Sequence, residues 1–301
     1  VAVPDGGYRW WYVDGMSADG SYGIVVIAFI GSVFSPYYFK ARQRGPADPH
    51  NHVAINVGLY RPRGDLWAMT ERSHRSLERN TDFFRVGPSS LTWRNDRLEI
   101  DIHERSAPLG LRLTGRVVVE PAFINTRGFP LDAGGRHRWR PIAPDARIDV
   151  QLERPGLSWQ GDGYIDTNAG ERALEDDFVR WNWSRAPRRS ETLITYAVTQ
   201  VDGQNRALAI AFDPSGAISD REVPSESQLP GTLWKVDRPA RSHEASVLLR
   251  TLEDTPFYTR SVLCARADEE EFLMMHESLD LERFRSRWVR TLLPFRMPRV
   301  R

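Results

Sequence analysis

Nine short segments constrain this chain more than anything else in it. YGIVVIAFI (22–30), HVAINVGLY (52–60), RLEIDIH (97–103), LRLTGRVVV (111–119), RIDVQLE (147–153), ETLITYAVTQ (191–200), RALAIAF (206–212), EASVLLRT (244–251) and TRSVLCA (259–265) are β-branched-rich and mostly alternating. That length and period belong to strands. Between them stand turn signals such as Asp19-Gly20, Pro62-Arg63-Gly64, Asp132-Ala133-Gly134-Gly135, Asp202-Gly203 and Asp213-Pro214-Ser215-Gly216. The intervals are too short for the crossover helices that parallel strands require, so the expected fold is all-β and antiparallel, barrel or sandwich.

One stretch has helical spacing. From Asp268 to Leu293, Phe272, Met275 and Leu279, then Leu281, Phe284, Trp288 and Leu292, recur at steps of three and four, which predicts a closing amphipathic helix. A faint internal echo also runs through the chain. YRWWYVDG (8–15) leads into YGIVVIAFIG, and FVRWNWSR (178–185) leads into ETLITYAVTQVDG. Two β halves dividing near residue 172, as 1–172 and 173–301, would explain it; chance likeness between two hairpins would too.

Charge and cysteine content exclude several classes of function. The 301 residues carry 41 basic and 40 acidic side chains, a formal charge of +1, so no global electrostatic footprint for nucleic acid is expected. Cys264 is the lone cysteine, which rules out an intrachain disulfide or a Cys-rich metal site and fits a reducing cytoplasm. IVVIAFI (24–30), the longest apolar run, is far shorter than the ~20 residues of a membrane-spanning helix. HExxH, an EF-hand loop, GxSxG, GxGxxG after a strand and GxxxxGK[ST] are all missing, so metal, hydrolase-triad, dinucleotide and P-loop chemistry lack their usual anchors. His50-x-His52 would share a strand face, yet no third ligand stands at suitable spacing, and a solvated or hydrogen-bonded pair is expected. Chemistry without cofactor or metal remains.

RHRWRP (136–141) and GDGYIDTNAG (161–170) carry the most information. In a strand, Arg136, Arg138 and Arg140 take one face while His137 and Trp139 take the other. Gly161-Asp162-Gly163 reads as a tight turn, Tyr164 and Asp166 share a face, and Thr167 to Gly170 reads as another turn. His137, Trp139, Tyr164 and Asp166 could therefore line one concave surface. They could form a buried hydrogen-bond network with Asp166 capping the turn after it. Alternatively, Asp166 desolvated among aromatic rings keeps a proton and serves as an acid, with Trp139 and Tyr164 offering π faces to a cation.

The motifs GYRWWYVDG (7–15), IAFIGSVFSPYY (27–38), ADPHNHVAINVGLY (47–60), WAMTER (67–72), RHRWRPIAP (136–144) and GDGYIDTNAG (161–170) together resemble the carotenoid 1,2-hydratases, or hydroxyneurosporene synthases. The remaining 130 residues resemble that family's second lipocalin-like half more loosely. The resemblance implies two tandem lipocalin-like halves and addition of water across the terminal C1=C2 bond of an acyclic carotene, with no cofactor and no metal. It implies that Asp166 is the proton donor, supported by His137, Trp139 and Tyr164. Carotene and water would be the partners, with transient contact at the inner or photosynthetic membrane; oligomeric state stays open. The chain begins close to its first strand, so any N-terminal extension of that family is expected to be missing. A lipocalin-like pericyclase acting on polyenes, or a non-catalytic carotenoid carrier, are the competing expectations. The basic C-terminal stretch DLERFRSRWVRTLLPFRMPRVR would be the membrane anchor, through Arg283, Arg287, Arg290, Arg296, Arg299 and Arg301, or would pack its apolar stripe across a barrel end.

Overall fold

Alternation along the strands builds a sheet with two unlike faces. In the computed structural model, which describes residues 2–242, 246–267 and 270–300, Val1–Ala173 with Thr291–Arg301 form one compact unit and Leu174–Arg290 a second. The first unit contains β1 (Tyr8–Ser17), β2 (Gly23–Ile30), β3 (Val53–Tyr60), β4 (Leu66–Met69), β5 (Leu77–Arg79) and β6 (Phe83–Val86). It continues with β7 (Ser89–Arg94), β8 (Arg97–Arg105), β9 (Arg112–Pro121), β10 (Phe129–Pro130), β11 (His137–Arg154) and β12 (Leu157–Gly170). They pair antiparallel in the order β4-β3-β2-β1-β12-β11-β9-β8-β7-β6-β5, with β10 on β11. Sequence neighbours are mostly sheet neighbours, as the short connections require.

This sheet curls into a half-barrel around an aliphatic core. Val13, Val26, Ile55, Val57, Val117, Ile148 and Ile165 meet on one face, each buried aliphatic side chain contributing about 1.5–3 kcal/mol. The opposite face carries a different chemistry. Tyr8, Trp10, Tyr12 and Asp14 of β1 stand opposite Gly170, Asn168, Asp166 and Tyr164 of β12. Val25, Ile27 and Phe29 of β2 complete that face through their pairing with Asp14, Tyr12 and Trp10.

The second unit holds α2 (Leu174–Asp177), which follows α1 (Pro36–Arg42) in the chain, and the strands β13 (Phe178–Pro187), β14 (Thr192–Gln200), β15 (Asn205–Phe212) and β16 (Ile218–Asp220). After them come β17 (Glu226–Gln228), β18 (Pro239–Arg241), β19 (Val247–Asp254), β20 (Tyr258–Ala267) and β21 (Glu270–Asp280). Seven of these strands pair in the order β16-β15-β14-β13-β21-β20-β19, and β17 pairs with β18. Both units are thus antiparallel β, as expected.

Polar groups occupy part of this second sheet's interior. His276 is fully buried, its Nδ1 2.9 Å from Ser184 Oγ and its Nε2 3.1 Å from Ser278 Oγ. Burial, and then the Arg238 charge, push its pKa down to about 3. The folded protein therefore holds this imidazole neutral, while the unfolded chain protonates it near pH 6.5. Stability from this group is complete above about pH 6.5 and erodes as pH falls toward 3, by about 2 kcal/mol at pH 5. Urea unfolding at pH 7 and pH 5 should show that loss, and His276→Asn should remove most of the pH difference.

The closing helix is shorter than its spacing predicts. Glu270–Asp280 is strand β21, and helix begins only at α3 (Leu281–Arg285), followed by α4 (Arg287–Arg296). Phe272, Met275 and Leu279 therefore belong to a sheet; Asp268, where the helix was expected to begin, lies outside the described residues, as do 244–245 of the eighth predicted strand. Two expected turns are also strand: Gly161-Asp162-Gly163 and Thr167 to Gly170 both lie within β12. A side chain at Gly161 would sit 1.8 Å from the Met16 carbonyl oxygen, so this glycine serves the close approach of β1. The hairpin turns instead at Pro155-Gly156.

Several C-terminal arginines are spent on their own chain. Arg283 donates to the Pro256 carbonyl at 3.2 Å, Arg296 lies 4.3 Å from the Trp67 ring, and Arg299 pairs with Glu71. Backbone bonds from Glu71 N to Pro298 O and from Val300 N to Glu71 O, each 2.9 Å, stitch that segment to the first unit. Arg301 is outside the described residues. Among the described residues no helix is long and apolar enough to cross a membrane.

Candidate active site

Two strands, β11 and β12, carry the four predicted side chains on one face of the sheet. In β11, His137 and Trp139 are buried and Arg138 is exposed, the alternation that RHRWRP implies. They stand opposite Gly170 and Asn168 of β12, and Pro141 stands opposite Asp166. Register then slips between Pro141 and Ala143 and again between Ala143 and Ala146. Such bulges bend a strand and re-aim its side chains, so one long strand serves the site at its start and the aliphatic core farther on.

Asp166 is the centre of the arrangement. Its Oδ2 accepts hydrogen bonds from Trp139 Nε1 at 2.9 Å and from Tyr164 Oη at 3.0 Å. The carboxyl is only 4% exposed, and Trp139, Tyr164 and His137 are fully buried. Burial first, then the neighbouring Asp166 and Asp14 carboxyl groups, hold the Tyr164 phenol well above its ordinary pKa. Tyr164 is therefore a permanent donor to Asp166. Tyr12 packs edge-on against it with centroids 6.2 Å apart, and Phe129 of β10 lies 5.4 Å from Trp139.

His137 is held by partners that sequence reasoning missed. Its Nδ1 is 2.9 Å from Tyr8 Oη, and the two rings stack at 5.8 Å. Asp132 Oδ2 accepts from the His137 backbone N–H at 2.7 Å, fixing the start of β11. Gly170 makes the first contact possible. A Cβ there would lie 2.3 Å from the Tyr8 ring and 2.6 Å from His137 Nδ1. The last residue of YIDTNAG is thus a gap through which β1 reaches β11. Tyr8-x-Trp10-x-Tyr12-x-Asp14 has the same-face alternation that singled out RHRWRP, and that signal could have found Tyr8 and the buried Asp14. Asp132 is visible in the sequence only as the first residue of the Asp132-Ala133-Gly134-Gly135 turn.

His50 and His52 precede β3 in the chain. His50 sits in a 3-10 turn (Pro49–Asn51), not on a strand, with Nδ1 3.1 Å from Asp48. His52 does meet a carboxylate that spacing did not reveal: its Nδ1 is 2.8 Å from Glu71. Among the described residues no group of three or more His, Cys, Asp or Glu is placed to hold a metal ion.

A buried acid held by two neutral donors, on a face that also carries an imidazole and several aromatic rings, can protonate an apolar substrate and shelter a cation. Comparison with known proteins gives the family. The family model described as carotenoid hydratase CrtC matches residues 26–301. A Thiocapsa roseopersicina protein named acyclic carotenoid 1,2-hydratase is 47% identical over 100% of this chain and 75% of its own length. The Rubrivivax gelatinosus protein of that name is 43% identical over 99% of this chain and 74% of its own length. One from Rhodobacter capsulatus is 40% identical over 91% and 97% of the two chains. Among solved structures, a protein described as AttH from Nitrosomonas europaea covers 90% of this chain and 92% of its own, with a TM-score of 0.62 at 14% identity. That likeness concerns the fold alone.

Proposed function

The chain belongs to the carotenoid hydratase CrtC family, and from that premise we propose that it adds water across the terminal C1=C2 bond of an acyclic carotene, with Asp166 as the acid. The observation that carries this reading is the buried Asp166 carboxyl with both its donors on one oxygen. Two donors on Oδ2 leave the acidic proton to Oδ1. As that proton moves to C2 of the alkene, negative charge develops on a carboxylate that Trp139 and Tyr164 are already positioned to stabilise. Bonds that strengthen along the reaction lower its barrier, whereas bonds equally strong throughout do not.

Protonation at C2 leaves a tertiary cation at C1. The rings of Trp139, Tyr164 and Tyr12 face it with π density that stabilises charge without forming a bond. Water then attacks C1, and His137 takes the proton that the oxygen sheds. The base-competent tautomer carries its proton on Nδ1, donated to Tyr8 Oη, so that Nε2 is the nitrogen with an acceptor lone pair. Return of a proton to Asp166 closes the cycle. One C–H and one C–O bond replace the alkene π bond and one O–H bond, so no electron carrier is required.

Tyr8→Phe removes the partner that fixes this tautomer while keeping the stacked ring. Turnover is expected to fall about tenfold, with carotene binding unchanged, measured as kcat separately from substrate retention. The reaction itself is tested by incubating purified protein with lycopene or neurosporene in detergent, without added cofactor, and looking for the mass gain of one water. Release of unchanged carotene would favour a carrier. Since the substrate dissolves in membranes and not in water, the enzyme works at a membrane surface.

A further inference from the structure

A cavity of about 500 Å³ opens beside α1, away from Asp166, walled by Tyr37, Lys40, Ala41, Arg44, His52 and Arg299. No carboxylate lines it. The fully buried Glu71 stands behind the wall, where it accepts from Arg299 and lies 2.8 Å from His52 Nδ1. Arg299 is held further by Asn51 O, 2.9 Å from its Nη2. Glu71 thus balances Arg299 and fixes the wall, while Lys40 and Arg44, both exposed at the rim, have no ion-pair partner among the described residues. The cavity is left with two uncompensated positive charges facing solvent.

Apolar side chains are exposed in the C-terminal segment that carries Arg299 and in the loop after β8. Val300, next to Arg299, is 55% exposed, and Phe295, next to Arg296, is 77% exposed. Arg296 rests on Trp67, whose carbonyl accepts from Ala107 N at 2.8 Å. Ala107 begins the loop that exposes Leu109 and Leu111. Cations beside protruding Phe, Leu and Val are what an interfacial surface needs, since binding there adds apolar insertion to attraction for anionic lipid.

We propose that this cavity seats the phosphate of an anionic phospholipid headgroup, with Phe295, Val300, Leu109 and Leu111 entering the acyl boundary beside it. The assignment rests on the carotenoid reading only for the reason a membrane is approached. The contact replaces the arginine-studded helix that the sequence suggests, because Arg296 and Arg299 are engaged within the protein.

Flotation with vesicles of phosphatidylcholine, with and without phosphatidylglycerol, tests it. The wild-type chain should bind only the mixed vesicles, more weakly as salt rises. Lys40→Gln combined with Arg44→Gln should weaken binding about thirtyfold, with melting temperature and hydration of detergent-dispersed carotene unchanged. Undiminished vesicle binding by the double variant would overturn the site. Stabilisation by inorganic phosphate through Lys40 and Arg44, without binding to either vesicle, would overturn the lipid and leave a free-phosphate site. Vesicle binding through these residues by a protein that never hydrates carotene in detergent would support the lipid site and sink the hydratase reading instead.

Discussion

Asp166→Asn should abolish hydration, lowering turnover by about 10³-fold or more, the scale of losing a positioned general acid. The amide matches the carboxyl in shape and keeps an oxygen to accept from Trp139 Nε1 and Tyr164 Oη, so folding and carotene binding should survive. What it lacks is an acidic proton. In deuterated water the wild-type enzyme should place one deuterium at C2 of the product. Hydration by the Asn variant at even a tenth of the wild-type rate would remove Asp166 as the acid. A pericyclase on this fold would pass the same substitution with little change, which separates the two chemistries.

Trp139 carries the second large effect, because it has two jobs that substitution can divide. Trp139→Phe keeps an aromatic face but deletes the Nε1 donor to Asp166, a charge-assisted bond once the proton leaves; turnover should fall about 10- to 100-fold. Trp139→Ala deletes the ring as well. This fully buried indole packs against Phe129, so its loss should cost about 3–5 kcal/mol of stability and drop turnover to about a thousandth. Equal loss of turnover in both variants would show that the N–H group, and not the π face, is what the reaction uses. Melting curves beside initial rates make the distinction.

Much of this was legible in the chain because a strand's period of two is a local property. RHRWRP sorts its residues correctly with no knowledge of what packs on it, as does YRWWYVD. Failures came where a residue answers to a neighbour distant in sequence. Gly161, Gly163 and Gly170 read as turn-formers, yet Gly161 clears the Met16 carbonyl and Gly170 clears Tyr8 and His137. The Tyr8 to His137 contact spans 129 positions, and no local pattern encodes such a pair. In Glu270–Asp280, the side chains from Met274 to Asp280 are buried on both faces of the strand. Strict alternation disappears there, and apolar residues at three- and four-residue steps imitate a helix.

The two-faced sheet also gives this protein something like a reading frame. Aliphatic residues such as Val13 and Ile165 hold the unit together, while their immediate neighbours Tyr12, Asp14, Tyr164 and Asp166 lie on the face of the candidate site. A single-residue insertion between Tyr8 and Asp14 would shift the parity of everything beyond it and turn reactive groups into the core. Substitutions keep that parity. Val25, Ile27 and Phe29 lie on the candidate-site face outside the aliphatic cluster, so replacement by other apolar side chains there should change which polyene is accepted. Evolution of new substrate choice in this architecture should therefore proceed by replacement along β2, with length changes confined to the hairpin ends.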